Sequence, residues 1–129
     1  MAPSSDGSGE HILVVEDDQG LREGLCDALE LEGYAAVCVP NGDAALRHLA
    51  TGARPCVILL DLMMPVMDGW AFRTRLLNDP ALASIPVVVM TAATPLRAAL
   101  VTAQAILYKP LDMGRVVDVV QQHCRNGAA

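Results

Sequence analysis

Residues 56–69, Cys-Val-Ile-Leu-Leu-Asp-Leu-Met-Met-Pro-Val-Met-Asp-Gly, restrict the fold more than any other stretch of the chain. Four aliphatic residues, Val57 to Leu60, run directly into Asp61. A short continuous apolar run bounded by turn residues reads as a strand buried on both faces, as in a parallel sheet. Pro55 bounds it on one side, and Pro65 with Asp68-Gly69 marks a loop on the other. Asp61 therefore falls at the carboxyl end of a central strand, the edge at which open α/β sheets bind ligands. A carboxylate buried there needs partners.

The rest of the chain repeats this pattern. Ile12 to Val15 is a first strand ending in Glu16-Asp17-Asp18, with Asp18 placed to cap the following helix. Leu21, Leu25, Ala28 and Leu29 recur at helical spacing, and Gly33 is a natural stop. Ala35 to Val39 is strand two, Pro40-Asn41-Gly42 a turn, and Asp43 to Ala50 a short helix. After strand three, a helix spans about Trp70 to Leu77, with Trp70 half-covering it. Pro86 to Met90 is strand four, followed by Thr91. Pro95 to about Ala103 predicts a helix with Leu96 and Leu100 inward. Ala105 to Tyr108 is strand five, followed by Lys109-Pro110, and Met113, Val116, Val117 and Val120 mark a last helix. Five strands alternating with five helices predict a parallel sheet covered on both faces.

Length and composition suit one domain over residues 10–125, with 1–9 a small polar, disordered tail and 126–129 a frayed end. The chain is 53% hydrophobic but holds only one Trp, one Phe and two Tyr, so its core must be aliphatic. A net charge of −6 argues against general nucleic-acid binding, which relies on Lys and Arg to neutralise phosphates. Cys26, Cys38, Cys56 and Cys124 lack zinc-site spacing and read as buried thiols in a reducing compartment rather than disulfides. His11, His48 and His123 are scattered, which speaks against a histidine nucleophile or ligand set. No run of transmembrane length and no signal peptide is present, so the expected location is cytoplasmic.

In a parallel sheet the strand ends share one edge. Glu16 and Asp17 from strand one, Asp61 from strand three, Thr91 from strand four and Lys109 from strand five therefore converge. Three carboxylates together repel, and at least one pKa must rise. A hard divalent cation relieves this, and Mg²⁺ suits a site of a few carboxylates that keeps its waters. A carboxylate beside a metal, an ammonium and a hydroxyl is equipped to attack a phosphoryl group.

With these residues in place, the chain resembles the receiver domain of bacterial two-component response regulators. The matching pieces are Ile-Leu-Val-Val-Glu-Asp-Asp (12–18), Asp-Leu-Met-Met-Pro-Val-Met-Asp-Gly (61–69), Val-Met-Thr-Ala (89–92) and Lys-Pro (109–110). The resemblance implies a doubly wound α/β fold, a five-stranded parallel sheet of flavodoxin-like order 2-1-3-4-5 with five helices. It implies a phosphoacceptor signalling domain, not an enzyme on other substrates. Asp61 would accept the phosphoryl group from a sensor histidine kinase or a histidine phosphotransfer protein. Asp17 would bind Mg²⁺ directly, Glu16 through a water, and the Met63 carbonyl would complete the protein ligands beside Asp61. Thr91 and Lys109 would hold the phosphoryl oxygens. The acidic pair aligns as Glu16-Asp17 rather than Asp17-Asp18, because the family pair follows the strand immediately.

Two departures bear on output. The family often has an aromatic residue three positions before the lysine, where this chain has Ile106, with Tyr108 adjacent to Lys109 instead. The segment from Thr91 to Lys109 is also short for the family, so helix four should be trimmed. No output domain follows residue 129, which implies a stand-alone receiver signalling through an unknown downstream protein, with neither nucleic-acid binding nor membrane insertion. The alternative is a receiver-like binding module that no longer uses phosphate. An aspartyl phosphohydrolase is disfavoured because Met63 stands where its acid/base Asp would be, and no Gly-x-Gly-x-x-Gly supports a dinucleotide carrier.

Overall fold

The computed structural model describes residues 10–125, so the expectations for 1–9 and 126–129 lie outside the described residues. Ten elements alternate: β1 Ile12–Val15, α1 Gln19–Leu31, β2 Ala36–Val39, α2 Gly42–Ala50, β3 Val57–Asp61, α3 Gly69–Leu77, β4 Val87–Thr91, α4 Pro95–Ala98, β5 Ala105–Tyr108 and α5 Met113–Gln121. The strands form one parallel sheet of order β2-β1-β3-β4-β5, the doubly wound topology expected. Each strand end is held in register: Val15 pairs with Leu60, Asp61 with Met90 and Thr91 with Tyr108.

Alternation along the strands divides the core into two layers. Leu13, Val15, Ile58, Leu60, Val87 and Val89 face α2 and α3, meeting Ala45, Leu49, Phe72 and Leu76. Ile12, Val14, Val57, Leu59, Val88 and Met90 face α1 and α5, meeting Leu25, Leu29, Val116 and Val120. Both faces of β3 are thus covered, and Val57 to Leu60 are fully buried. The core is aliphatic as composition demands, with Phe72 its one phenylalanine.

Short polar side chains start every helix. Asp18, Asn41, Asp68, Thr94 and Asp112 each accept a backbone N–H from the first turn of α1, α2, α3, α4 and α5, respectively. Gly33 follows α1 with φ 95°, a left-handed conformation that favours glycine.

The structure corrects three expectations. Helix α4 is a single turn, Pro95–Ala98, not a helix to Ala103. Leu96 and Leu100 point outward, 81% and 76% exposed, and Ala98 takes the buried position. Tertiary hydrogen bonds beyond the helix override its local periodicity: Arg73 Nε donates to the Thr102 carbonyl at 2.7 Å, and Gln104 Oε1 accepts the Val87 N–H at 2.9 Å. These bonds draw residues 102–104 into the approach to β5. Second, Cys56 and Cys124 form a disulfide, joining the start of β3 to the chain just past α5. Cys26 and Cys38 are free thiols, as read from the sequence, but half-buried rather than buried. Third, two of the three histidines are not scattered in space: His11 Nε2 and His48 Nε2 lie 2.9 Å apart.

Candidate phosphoacceptor site

The carboxyl edge of the sheet brings together the polar groups that end β1, β3, β4 and β5. Carboxylate oxygens of Glu16, Asp17 and Asp61 all lie within 4.8 Å of one another. Glu16 and Asp61 are buried, whereas Asp17 is exposed, so the cluster opens to solvent on the Asp17 side. Asp18 is turned away from it: its Oδ2 caps α1 by accepting the Leu21 N–H at 2.9 Å. The geometry therefore favours the Glu16-Asp17 register over Asp17-Asp18.

The acidic turn is fixed from two sides. The Asp18 N–H donates to Glu16 Oε2 at 3.1 Å. Arg22 Nη1, one turn into α1, donates to the Glu16 carbonyl at 3.0 Å and the Asp17 carbonyl at 3.3 Å. Sequence reasoning did not single out Arg22; its position one helical turn beyond the Asp18 cap is the signal that places it there.

Lys109 supplies the positive charge. Its Nζ is 2.9 Å from Glu16 Oε1 and 3.5 Å from Asp61 Oδ1. Burial alone would lower its pKa, but the hydrogen bond to Glu16 and the charges of Asp61 and Glu16 raise it, so the side chain is an ammonium. One ammonium does not balance three carboxylates. Burial, and then the charge of Glu16, push the Asp61 pKa from 3.8 up to about 7, against the opposing effect of Lys109. Asp61 Oδ1 also accepts the Met63 N–H at 3.1 Å. Met63 itself is half exposed at the rim.

Thr91 is fully buried at the end of β4, and its Oγ1 accepts the Ala93 N–H at 2.8 Å. The Lys109 N–H donates to the Thr91 carbonyl at 2.8 Å, tying the ends of β4 and β5 together, and the Lys109–Pro110 peptide is cis. The loop after β3 is folded tightly back. The Gly69 N–H donates to the Leu62 carbonyl at 2.9 Å, and a Cβ on Gly69 would stand 2.6 Å from Leu62 Cα and 2.7 Å from the Asp61 carbonyl. Only glycine fits beneath the Asp61 loop. Val66 at the loop tip has φ 70°, a left-handed conformation rare for a β-branched residue. Trp70 is half-buried, and the Arg97 guanidinium stacks on its ring at 4.8 Å.

A profile of the response regulator receiver domain matches residues 12–121. The chain belongs to this family. Among curated relatives, the response regulator protein FleR of Pseudomonas aeruginosa is 38% identical over 120 residues, covering 87% of this chain and 24% of FleR. The transcriptional regulatory protein CseB of Streptomyces coelicolor is 35% identical over 82 residues, 64% of this chain and 33% of CseB. The receiver thus spans about a quarter to a third of these relatives. Among solved structures, the signal receiver domain of a signal transduction histidine kinase from Syntrophus aciditrophicus superposes with TM-score 0.81 at 34% identity, covering 88% of this chain and 89% of that one. The chemotaxis protein CheY4 of Vibrio cholerae superposes with TM-score 0.80 at 27% identity, covering 90% of this chain and 99% of CheY4. The receiver family is one of phosphoacceptor domains in two-component signalling, and the arrangement at the carboxyl edge is consistent with that role. Among the described residues, no helix of this receiver is long and apolar enough to cross a membrane.

Proposed function

We propose that this receiver takes a phosphoryl group onto Asp61 from a phosphohistidine on a sensor kinase or phosphotransfer protein, in the cytoplasm, where ATP charges such donors. The observation that carries the reading is the convergence of Asp61, Glu16, Asp17 and Lys109 at one sheet edge, within the distances given above. An Asp61 oxygen attacks phosphorus as the phosphorus–nitrogen bond to the donor breaks. The leaving imidazole nitrogen keeps the electron pair and takes up a proton. Lys109, already an ammonium, neutralises oxygens of the transferred group, and the Thr91 hydroxyl donates to one of them.

The donor set fits Mg²⁺: hard oxygens, an excess of negative charge, and one solvent-facing member in Asp17. Asp17 and Asp61 would hold the ion directly, Glu16 through a water, with the Met63 carbonyl completing the protein ligands. When bound, Mg²⁺ supplies positive charge beside Asp61 and the phosphoryl oxygens. The acidic net charge of −6 disfavours direct contact of the receiver itself with nucleic acid, which supports a readout through protein–protein contact.

The test is incubation with a small phosphodonor and Mg²⁺, followed by the intact mass. The parent protein should gain one phosphoryl group and Asp61→Asn none. Equal gain in both refutes the assignment. No gain in either, with Mg²⁺ bound, favours a binding module that does not use phosphate.

A further inference from the structure

At the amino edge of the sheet, opposite the acidic cluster, two imidazoles meet. His11 immediately precedes β1 and His48 lies in the last turn of α2. Their Nε2 atoms are 2.9 Å apart, and their rings stand at 87° with centroids 5.1 Å apart. Such centroid and nitrogen separations leave each Nε2 pointing almost directly at the other. Neither backbone is loose. The His11 carbonyl accepts the Cys56 N–H at 2.9 Å, and the His48 carbonyl accepts the Thr51 hydroxyl at 2.6 Å. Leu49, next to His48, is buried in the core.

We propose that His11 and His48 form a two-histidine site for a divalent transition cation, with Zn²⁺ its representative, separate from the phosphoacceptor site. Imidazole nitrogen suits Zn²⁺, Cu²⁺ and Ni²⁺, whereas Mg²⁺ takes oxygen ligands. Two Zn–N bonds of about 2.0–2.1 Å at a tetrahedral angle place the nitrogens about 3.3 Å apart, so the ion enters once each ring swings by roughly 35° to turn its lone pair from the other nitrogen onto the metal. Both rings are half-buried, which leaves one side of the ion for water. A neutral imidazole in its Nδ1–H tautomer presents the Nε2 lone pair to the ion, so binding moves the proton shared by the two Nε2 atoms out of the contact. About five residues at 3.3 Å each separate His11 from the acidic turn along β1, so the two sites do not share ligands. A hydrogen bond between neutral tautomers also explains the contact, and the measurement separates the two.

Zn²⁺ is titrated calorimetrically into the protein in excess Mg²⁺, which occupies the acidic cluster and not the imidazoles. One equivalent should bind, and His11→Gln and His48→Gln should each weaken binding about tenfold or more. Ring NMR signals of the parent protein give a reading that needs no variant: His11 and His48 should shift with Zn²⁺ while His123 stays. Binding undiminished in both variants, shifts confined to His123, or no Zn²⁺ binding by the parent would each overturn the proposal and leave a hydrogen-bonded pair.

Discussion

Replacing Asp61 with Asn should stabilise the metal-free protein, and pH should reveal why. Burial and the Glu16 charge raise the Asp61 pKa from 3.8 to about 7. A group whose folded-state pKa lies above its unfolded value binds more protons when folded, so stability falls as pH rises between the two values. At about 1.4 kcal/mol per pH unit, ionised Asp61 costs the fold on the order of 4 kcal/mol above pH 7. The attraction of Lys109, 3.5 Å away, already opposes this rise and is lost with the charge. The amide of the Asp61→Asn variant keeps the shape without the charge, and for a domain of this size about 2–4 kcal/mol corresponds to roughly 6–15 °C in Tm. The assay is thermal unfolding in EDTA at a series of pH values. Parent and Asp61→Asn should coincide near pH 4, diverge as pH rises to about 7 and stay apart above it. Mg²⁺ should narrow the gap by stabilising the parent. Parallel curves across the range, or an Asn variant less stable at pH 8, would refute the reasoning.

Asp17→Asn should weaken Mg²⁺ binding about tenfold or more, while Asp18→Ala should instead lower stability through its lost cap by ~1 kcal/mol; calorimetry with Mg²⁺ and urea unfolding distinguish them. Gly69→Ala should cost about 1–3 kcal/mol, because its Cβ meets backbone atoms of Asp61 and Leu62 that cannot give way, measurable by denaturant unfolding. Cys124→Ala, or reduction of the parent, should cost roughly 2–4 kcal/mol in the same assay, since the bridge closes a loop across 68 positions.

The convergence at Asp61 was legible because every strand but β2 is a continuous apolar run ending in a polar residue, and a parallel sheet leaves no freedom about which edge those ends share; the strand order followed from the resemblance to the receiver family. Asp18 declared itself a cap by its position before Leu21. Helix α4 was legible only in part: the short Thr91–Lys109 segment announced a trimmed helix, but Pro95 to Ala103 has local helical periodicity, and the bonds that Arg73 and Gln104 make are long-range and leave no trace in spacing. The Cys56–Cys124 and His11–His48 pairs escaped for a related reason. Each joins residues far apart in sequence whose only common property is lying at the amino edge of the sheet, and that edge carries no motif.

The disulfide gives the molecule a covalent topology that the sheet alone does not. Residues 56–124 form a closed ring, and Asp61, Thr91 and Lys109 all lie inside it, whereas Glu16 and Asp17 lie outside. A pull applied to the two ends of the chain cannot extend the ring; it peels away β1 and α1 first. Tension would therefore part the acidic turn from Asp61 while Asp61, Thr91 and Lys109 stay tethered to one another. Likewise, one cut at Val66, the exposed loop tip, opens the ring without releasing a fragment.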